Sequence, residues 1–376
     1  MNVVFTCGGT GGHIYPAVAV AQLFRQRQKD CKILFMGAEE GIEGKLVPKE
    51  GFELKTVRIS SFQRGLTPGA LWHNAVTVVR MRSAMAKAKA ILREFQPDVI
   101  IGTGGYASFP ALKMGAKLGI PTAVHEANAV PGLATKLVEK TVDQLMVNFP
   151  ESREKYADPS KVLVTGMPVR EEFFFTERQQ ARKALGLDDR PLVVSYWGSL
   201  GAREMNKIIA GFMKCECDAG EPFQHIHATG SYGWRWMPDF VKEQGVELGQ
   251  HPSIRMQEYI YNMPQVLAAA DLLICRAGAA SLSESCAAGV PSIIIPSPNV
   301  TENHQEKNAR VLERNGAARV ILESDCTAQK LYSTVSELLS DSESLRAMRA
   351  AATRMAVTDA AERIYRIGID LTKKAK

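Results

Sequence analysis

Short apolar runs alternate along this chain with longer stretches of helical spacing, and this alternation limits the possible folds more than any other feature. Each run is continuously apolar, which is typical of strands buried on both faces of a parallel sheet. Between the runs, stretches such as residues 16–28 and 302–314 carry apolar residues at helical spacing. The pattern predicts an α/β fold with doubly wound sheets. The predicted strands lie at residues 3–5, 33–36, 99–101, 122–124, 145–147, 162–164, 192–194, 226–228, 272–274 and 292–295.

The alternation restarts after residue 167, which predicts two domains. A length of 376 residues agrees with this number, at roughly 150 residues per domain. A charged stretch at residues 171–190 precedes a new strand that begins at Leu192. Two such domains would leave a cleft between the carboxyl ends of their strands, where open α/β sheets bind ligands. The segment at residues 345–376 is predicted to be helical throughout.

Composition excludes several classes of protein. Hydrophobic residues make up 45% of the chain and charged residues 23%, which excludes a largely disordered polypeptide. No segment approaches the roughly 18 apolar residues of a membrane span, and residues 1–5 read as a first strand rather than a signal peptide. The 7 cysteines are scattered, so we expect reduced thiols, no structural zinc site and a cytosolic protein.

Glycine-rich loops follow several of the predicted strands. The first, C-G-G-T-G-G-H at residues 7–13, precedes a predicted helix, so its backbone amides and the helix N-terminus are suited to an anion. It is not a dinucleotide fingerprint, because the third glycine position falls on Ile14, and it lacks the G-K-S/T of a Walker A loop. Together the loops predict a site for a polyphosphate ligand. The others lie at residues 102–106, 198–202 and 276–281.

A set of motifs occurs in a specific order along nearly the whole chain. They are G-G-T-G-G-H (8–13), G-G-Y (104–106), H-E-A-N (125–128), P-V-R (168–170), G-S-L-G-A (198–202), R-A-G-A (276–279) and N-H-Q-E-K-N-A (303–309). In this order they resemble glycosyltransferase family 28, and within it the MurG family. Those bacterial enzymes add N-acetylglucosamine to the undecaprenyl-linked muramyl-peptide precursor of peptidoglycan.

The resemblance implies a GT-B fold, in which two Rossmann-like doubly wound domains face a cleft. Residues 1–167 would form the acceptor- and membrane-facing domain, residues 168–350 the UDP-sugar-binding domain, and residues 351–376 a helix that packs back onto the first domain. The implied activity is that of an inverting, metal-independent hexosyltransferase without a cofactor. UDP-N-acetylglucosamine would be the donor, and the C4 hydroxyl of undecaprenyl-diphospho-N-acetylmuramyl-peptide would be the acceptor.

Positions in the matched motifs imply the site residues. Thr10, Gly11 and Gly12 would face the donor phosphates and the acceptor. Ile260 would meet the uracil through its backbone, and Glu284 would bind the ribose hydroxyls. The remaining implied donor contacts are Asn128, Arg170, Ser199, Ala279, Ala280, Ser281, Leu282, Ser283, His304 and Gln305, of which Gln305 would hold the sugar.

Three residues depart from the family pattern. Trp197 stands where the family usually has a second glycine before Gly198, which leaves the local shape of the third loop open. Met167 replaces a usual Asn and Ala127 a usual Gln, and both changes could alter the sugar pocket.

Two residues are candidates for the general base that deprotonates the acceptor hydroxyl. His13 closes the first loop, and an imidazole titrates near neutral pH; a helix-capping or phosphate-binding histidine is the alternative. Glu126 follows a strand end and is the second candidate, with a structural role as its alternative. His225 and His227 lie two residues apart on a predicted strand without a third ligand, so we interpret them as structural.

A basic, apolar-rich stretch predicts contact with a membrane. The chain has a formal net charge of +6, and residues 55–93 contain eight Lys or Arg but no Asp or Glu. Such a surface can lie in a membrane interface and attract anionic lipid, which a lipid-linked acceptor requires. An ordinary core helix with a basic exposed face is the alternative. We therefore expect a peripheral protein on the cytoplasmic face of the cell membrane, docked through Leu71, Trp72, Val76, Val79, Arg80 and Arg82.

Other functions stay open at this point. A GT-B transferase for another lipid or a natural product would have the same loops. A dinucleotide oxidoreductase is disfavoured by the missing third glycine, and a non-catalytic scaffold by the presence of His13, Glu126 and Glu284. Nucleic acid is not an expected partner, because the basic residues lie in one apolar-rich stretch without a known binding module.

Overall fold

The chain folds into two units, one formed by Met1–Val169 with Asp359–Lys376 and the other by Arg170–Thr358. The structure is a computed structural model and describes residues 1–60 and 67–374. Each unit contains a parallel sheet covered by helices, so the prediction of two doubly wound, Rossmann-like domains is confirmed.

The first unit is built around a parallel sheet with the strand order β3-β2-β1-β4-β5-β6-β7. Its strands are β1 (Asn2–Thr6), β2 (Lys32–Ala38), β3 (Glu53–Val57), β4 (Val99–Gly102), β5 (Thr122–Glu126), β6 (Gln144–Val147) and β7 (Val162–Val164). Its helices are α1 (Gly11–Arg27), α2 (Glu43–Lys49), α3 (Pro68–Phe95), α4 (Ser108–Lys117), α5 (Leu133–Val138) and, at the end of the chain, α15 (Ala360–Lys374).

Two apolar layers hold this sheet. On one face α1 and α15 pack together, with the rings of Phe24 and Tyr365 4.8 Å apart. On the other face α3 and α4 cover the sheet through residues such as Ala88, Leu92 and Leu112. The central strands are buried on both faces, which explains why their sequences are continuously apolar.

The second unit repeats the architecture with the strand order β10-β9-β8-β11-β12-β13. Its strands are β8 (Leu192–Tyr196), β9 (Gln224–Ala228), β10 (Ile254–Gln257), β11 (Leu272–Cys275), β12 (Ser292–Ile294) and β13 (Ala318–Val320). Its helices are α6 (Glu172–Phe175), α7 (Arg178–Ala184), α8 (Arg203–Asp218), α9 (Met237–Glu243), α10 (Met263–Ala269), α11 (Ala279–Ala287), α12 (His304–Arg314), α13 (Ala328–Ser340) and α14 (Ser342–Met355).

Every predicted strand is present, but the sequence pattern missed three others. These are β3, β10 and β13, which are edge strands of their sheets and are largely half-exposed. A half-exposed strand needs no continuous apolar run, and Lys55, Arg255 and Arg319 interrupt these three. The predicted helix at 16–28 begins earlier, at Gly11, and the one at 302–314 begins at His304.

The prediction of one continuous helix at 345–376 is wrong. The helix breaks at residues 356–359 between α14 and α15. Val357 and Thr358 are β-branched and lose side-chain freedom in a helix, and the Asp359 carbonyl accepts the Arg363 amide that opens the new helix. Because α14 packs on α11, and Arg349 donates to the Gly289 carbonyl, the segment that joins the first unit begins at residue 359 rather than at 351.

Candidate active site

In the first unit, the loops after β1 and β4 meet backbone to backbone. β1 lies between β2 and β4, so this is the point of the sheet where the strand order reverses and where open α/β sheets bind ligands. Gly105 has φ +80°, and a Cβ there would lie 2.1 Å from the carbonyl oxygen of Gly8. Glycine is therefore required at residue 105 by both conformation and space.

His13 lies in the first turn of α1 and is fixed by Thr103 of the neighbouring loop. Its Nδ1 is 3.0 Å from the Thr103 carbonyl oxygen, and the Thr103 hydroxyl donates to the His13 carbonyl at 2.6 Å. A carbonyl can only accept, so Nδ1 carries a proton and the neutral ring has its lone pair on Nε2. Sequence reasoning missed Thr103, although it lies within the second glycine loop.

Glu126, the second candidate base, is a buried anchor of the loop that follows β5. Its side chain is 3% exposed. One carboxylate oxygen accepts from the backbone and side-chain amides of Asn128 at 3.1 and 3.0 Å. The other accepts from the Gly132 amide at 2.9 Å and the Thr135 hydroxyl at 2.7 Å. These four donors hold the loop in place and occupy both oxygens that a base would use.

A carboxylate that the sequence did not single out lies beneath the first loop. Glu43 is fully buried and accepts hydrogen bonds from the Ala38 amide at 2.7 Å and the Gly9 amide at 3.4 Å. A Cβ on Gly8 would lie 2.6 Å from its carboxylate, so the glycine makes room for this side chain. Burial, together with Glu43, raises the pKa of the Cys7 thiol far above its usual range. The buried carboxylate thus engages the Gly9 amide of the first loop.

In the second unit, the third glycine loop follows β8 at the corresponding reversal of strand order. Gly201 has φ +81°, and a Cβ there would lie 2.1 Å from the Thr229 carbonyl oxygen. The loop is tied to the segment after β9, since the Ser231 amide donates to the Ser199 carbonyl at 3.1 Å. The side chain of Ser199 is exposed.

The fourth loop leads into α11, whose N-terminus has features of an anion site. Its N-cap is Gly278, and within the described part of the chain no side chain caps this end and its first turn has no acidic residue. Ala279, Ala280 and Ser281 supply the first amides, and Ser283 is half-buried. The positive end of the helix dipole at these amides favours a phosphate.

Glu284 lies one turn further along α11 in a partly buried position. Burial raises the pKa of its carboxyl to about 7, and the positive charge of Arg170 acts in the opposite direction. Arg170 is exposed, and its guanidinium lies 5.1 Å from the ring of Phe173. An ionised Glu284 can accept hydrogen bonds from a sugar diol, while Arg170 supplies a full charge for a phosphate.

The other residues implied by the resemblance lie after β10, on α11 or at the start of α12. Ile260 is buried after β10, and Leu282 is buried on α11. Gln305 accepts from the Ser297 amide at 2.9 Å, and the His304 Nδ1 lies 2.8 Å from the Thr301 carbonyl. Sequence reasoning gave no role to Asn308, which is buried and donates to the Ala277 carbonyl at 3.1 Å, joining α12 to the fourth loop.

The three departures from the family pattern are all buried. Trp197 is part of the apolar core of the second unit, and the guanidinium of Arg276 lies 5.8 Å from its ring. Arg276 also donates to the Ile295 carbonyl and forms an ion pair with Glu323. Trp197 therefore links the third loop to the fourth. Met167 and Ala127 are 3% and 4% exposed.

The residues predicted to dock on a membrane lie on α3. Leu71, Trp72 and Val79 are 54%, 74% and 68% exposed, Arg82 is exposed, and Val76 and Arg80 are half-buried. Val78, at 47% exposed, belongs to the same face. We call Leu71, Trp72, Val78, Val79 and Arg82 the α3 surface. Lys55 of the predicted basic stretch pairs with Glu94, and Arg64 lies outside the described residues.

Within residues 1–60 and 67–374, no helix is both long and apolar enough to cross a membrane. In the same residues no three or more His, Cys, Asp or Glu side chains are grouped as a metal site would require.

Models of one family match both units of this chain. The glycosyltransferase family 28 N-terminal domain matches residues 3–147, and the family 28 C-terminal domain matches residues 193–364. Together the two matches span most of the chain.

Relatives match over the full length. A protein of Thermoanaerobacter sp. (strain X514) is 43% identical over 368 residues, covering 98% of this chain and 99% of its own. It is named UDP-N-acetylglucosamine--N-acetylmuramyl-(pentapeptide) pyrophosphoryl-undecaprenol N-acetylglucosamine transferase. A protein of the same name from Caldanaerobacter subterraneus subsp. tengcongensis is 44% identical, with the same coverage.

A solved structure has the same fold. The crystal structure of MurG from Acinetobacter baumannii aligns with a TM-score of 0.76 at 24% identity, covering 98% of this chain and 99% of that one. The resemblance seen in the motifs is thus confirmed across the chain, which belongs to glycosyltransferase family 28 and is similar throughout to its MurG members.

Proposed function

We propose that this protein transfers N-acetylglucosamine from UDP-N-acetylglucosamine to the C4 hydroxyl of undecaprenyl-diphospho-N-acetylmuramyl-peptide, with inversion at the sugar, in peptidoglycan synthesis. A bond forms between the acceptor oxygen and the anomeric carbon as the bond from that carbon to the phosphate oxygen breaks. UDP leaves with the electron pair, and the hydroxyl proton passes to a base. The observation that carries the proposal is the identity of 43–44% over the whole chain to transferases of that name.

The second unit is suited to the donor. The N-terminus of α11 offers amides and a dipole end to the diphosphate, and Arg170 adds a positive charge. Charge that develops on the departing UDP is stabilised by these fixed groups. Glu284 binds the ribose hydroxyls in its ionised form, Ser199 contacts the donor, and Gln305 contacts the sugar. Asn128, a residue of the first unit, is a further donor contact that the resemblance implies.

The first unit is suited to the proton transfer. His13 is oriented by Thr103 so that Nε2 carries the lone pair, as a base needs. Glu126 is the weaker candidate, because a proton on its carboxylate would have to displace one of four hydrogen bonds. We assign Glu126 the role of a positioning residue that holds the Asn128 loop.

The test is an assay with UDP-N-acetylglucosamine and a short-chain analogue of the muramyl-diphosphate lipid. We expect UDP release, together with formation of the disaccharide, and the same rate in EDTA as in magnesium. If the disaccharide does not form and the protein instead glycosylates another lipid or a natural product, the proposed acceptor is wrong. Loss of activity in EDTA would overturn the expectation of a metal-independent reaction.

We further propose that the α3 surface docks on anionic lipid at the cytoplasmic face of the cell membrane. Exposed Leu71, Trp72 and Val79 insert among the headgroups, while Arg82, together with the neighbouring half-buried Arg80, attracts the negative surface. Binding to vesicles that contain anionic lipid should fall at high salt and on reversal of Arg80 and Arg82 to Glu. Binding that responds to neither change would contradict docking through this surface.

A further inference from the structure

A row of buried polar side chains crosses the second unit beneath the third glycine loop. Glu216 and Asn206 come from α8, Ser195 from β8, and His225 and His227 from β9. Each of these side chains is at most 1% exposed. None belongs to the family motifs, and none touches a substrate in the proposed reaction. We call these five residues the polar chain.

The members of the polar chain are hydrogen-bonded in sequence. Nδ1 of His225 lies 3.0 and 3.1 Å from the two carboxylate oxygens of Glu216. The Ser195 hydroxyl oxygen is 2.7 Å from Nε2 of His225 and 2.6 Å from Nδ1 of His227. Nε2 of His227 is 3.3 Å from Oδ1 of Asn206, whose amide nitrogen donates to the Thr229 carbonyl at 2.8 Å.

The last of these bonds fixes the direction of the others. Because the Thr229 carbonyl can only accept, Asn206 presents its oxygen to His227, and Nε2 of His227 must carry a proton. Burial lowers the pKa of His227, so the ring is neutral and its Nδ1 accepts from the Ser195 hydroxyl. The Ser195 oxygen then accepts from Nε2–H of His225. Nδ1 of His225 and the Glu216 carboxylate lie at hydrogen-bond distance, so one proton lies between them.

The far end of the polar chain meets the third glycine loop. The Thr229 carbonyl oxygen would lie 2.1 Å from a Cβ on Gly201 and 2.4 Å from one on Gly233, so it is packed between two glycine backbones. Two residues beyond it, the Ser231 amide bonds to the Ser199 carbonyl of the loop. A rotation of the Thr229 peptide would therefore displace the backbone around Gly201.

We infer that the polar chain is a positioning device for the third glycine loop: its one-way hydrogen bonds hold the Thr229 carbonyl, and hence the loop, in the conformation in which Ser199 contacts the donor. The inference rests on the proposed function for the identity of the ligand. The directions of the hydrogen bonds in the polar chain do not depend on that function. The residues act through the loop backbone and take no part in the chemistry.

The kinetic test uses Ser195→Ala and Asn206→Ala, which interrupt the polar chain at two points. Each should raise the KM for UDP-N-acetylglucosamine, and the Kd of UDP, about tenfold, with kcat and the acceptor KM within twofold of wild type. The double variant should be no worse than the more affected single variant, because both act through one series of bonds. Ser292→Ala is the control. Ser292 is another fully buried serine of the same sheet, on β12, and its hydroxyl donates to the Val290 carbonyl, so its loss should leave all these constants unchanged.

If Ser195→Ala and Asn206→Ala fold but leave the donor KM and the Kd of UDP unchanged, the inference is overturned. It is also overturned if kcat falls, or the acceptor KM rises, as much as the donor KM rises. If both variants fail to fold, the wild-type imidazole ¹⁵N NMR spectrum decides: it should show His227 neutral with its proton on Nε2, and the opposite tautomer overturns the inference. A wild type with the expected tautomer that does not bind UDP-N-acetylglucosamine would refute the proposed function instead.

Discussion

The two units of this protein have the same central strand order but different groups at the point where that order reverses. β1 and β4 of the first unit correspond to β8 and β11 of the second. In both, a glycine is pressed against a neighbouring carbonyl, at Gly105 and at Gly201. In the first unit an oriented histidine lies there. In the second there is the N-terminus of α11, which no side chain of the described residues caps, with the partly buried carboxyl of Glu284 one turn further on.

The comparison separates what the fold supplies from what the side chains supply. The fold brings two loops together at the carboxyl ends of adjacent parallel strands, and the glycines let their backbones touch. The side chains decide the use of that place. His13 suits proton transfer, whereas Glu284, Arg170 and the α11 amides suit the binding of a nucleotide.

The largest expected effect comes from removing the titratable group of the first unit. His13→Ala should lower kcat about a thousandfold and leave the Kd of UDP-N-acetylglucosamine within twofold, because general-base catalysis is lost but the donor site is not. His13→Gln keeps a donor for the Thr103 carbonyl and should lose as much. Steady-state kinetics with a donor titration measures both constants, and an unchanged kcat would remove His13 from the mechanism.

The next effect concerns the glycines that the two units share. Gly105→Ala and Gly201→Ala should each lower the free energy of unfolding by about 3 kcal/mol, because the new Cβ meets a backbone carbonyl. Gly119 and Gly220 also have positive φ, of +72° and +75°, but nothing lies within 4 Å of a Cβ there. Gly119→Ala and Gly220→Ala should therefore lose only about 1 kcal/mol. Urea unfolding gives these values, and equal losses in all four would show that conformation alone demands the glycines.

The difference between the sites was less visible in the sequence than the similarity of the folds. Strands buried on both faces gave continuous apolar runs, but the half-exposed β3 and β10 gave none. The motifs located His13 and Glu284 through resemblance. They did not show that Thr103, ninety residues away, orients His13, or that four donors surround Glu126. Such contacts depend on tertiary structure, which one sequence does not specify pair by pair.

A smaller effect follows from the carboxyl of the second unit. With its pKa raised to about 7, Glu284 is mostly protonated at pH 6 and mostly ionised at pH 8. Because we propose that the ionised form accepts the ribose hydroxyls, we expect the KM for the donor to fall about tenfold over that range. Arg170→Gln should move the midpoint to higher pH, since it removes the charge that lowers this pKa. Glu284→Gln should abolish the pH dependence, and a KM that still follows pH in this variant would assign it to another group.

The smallest effect concerns the α3 surface of the first unit. Arg82→Gln should weaken binding to anionic vesicles about fivefold, as expected for one cation near a charged membrane. Lys29→Gln is the control, because Lys29 is exposed at the end of α1, on the opposite face of the sheet from α3. Co-sedimentation at low salt measures both, and equal weakening would mean that net charge, rather than the α3 surface, drives binding.

The central claim is that the nucleotide belongs to the second unit and the base to the first. A crystal structure with UDP-N-acetylglucosamine bound tests it most directly. We predict the diphosphate at the amides of Ala279–Ser281, the ribose on Glu284, and no divalent cation between phosphate and protein. A diphosphate held by residues 8–12 instead, or one coordinated through a metal ion, would contradict this assignment.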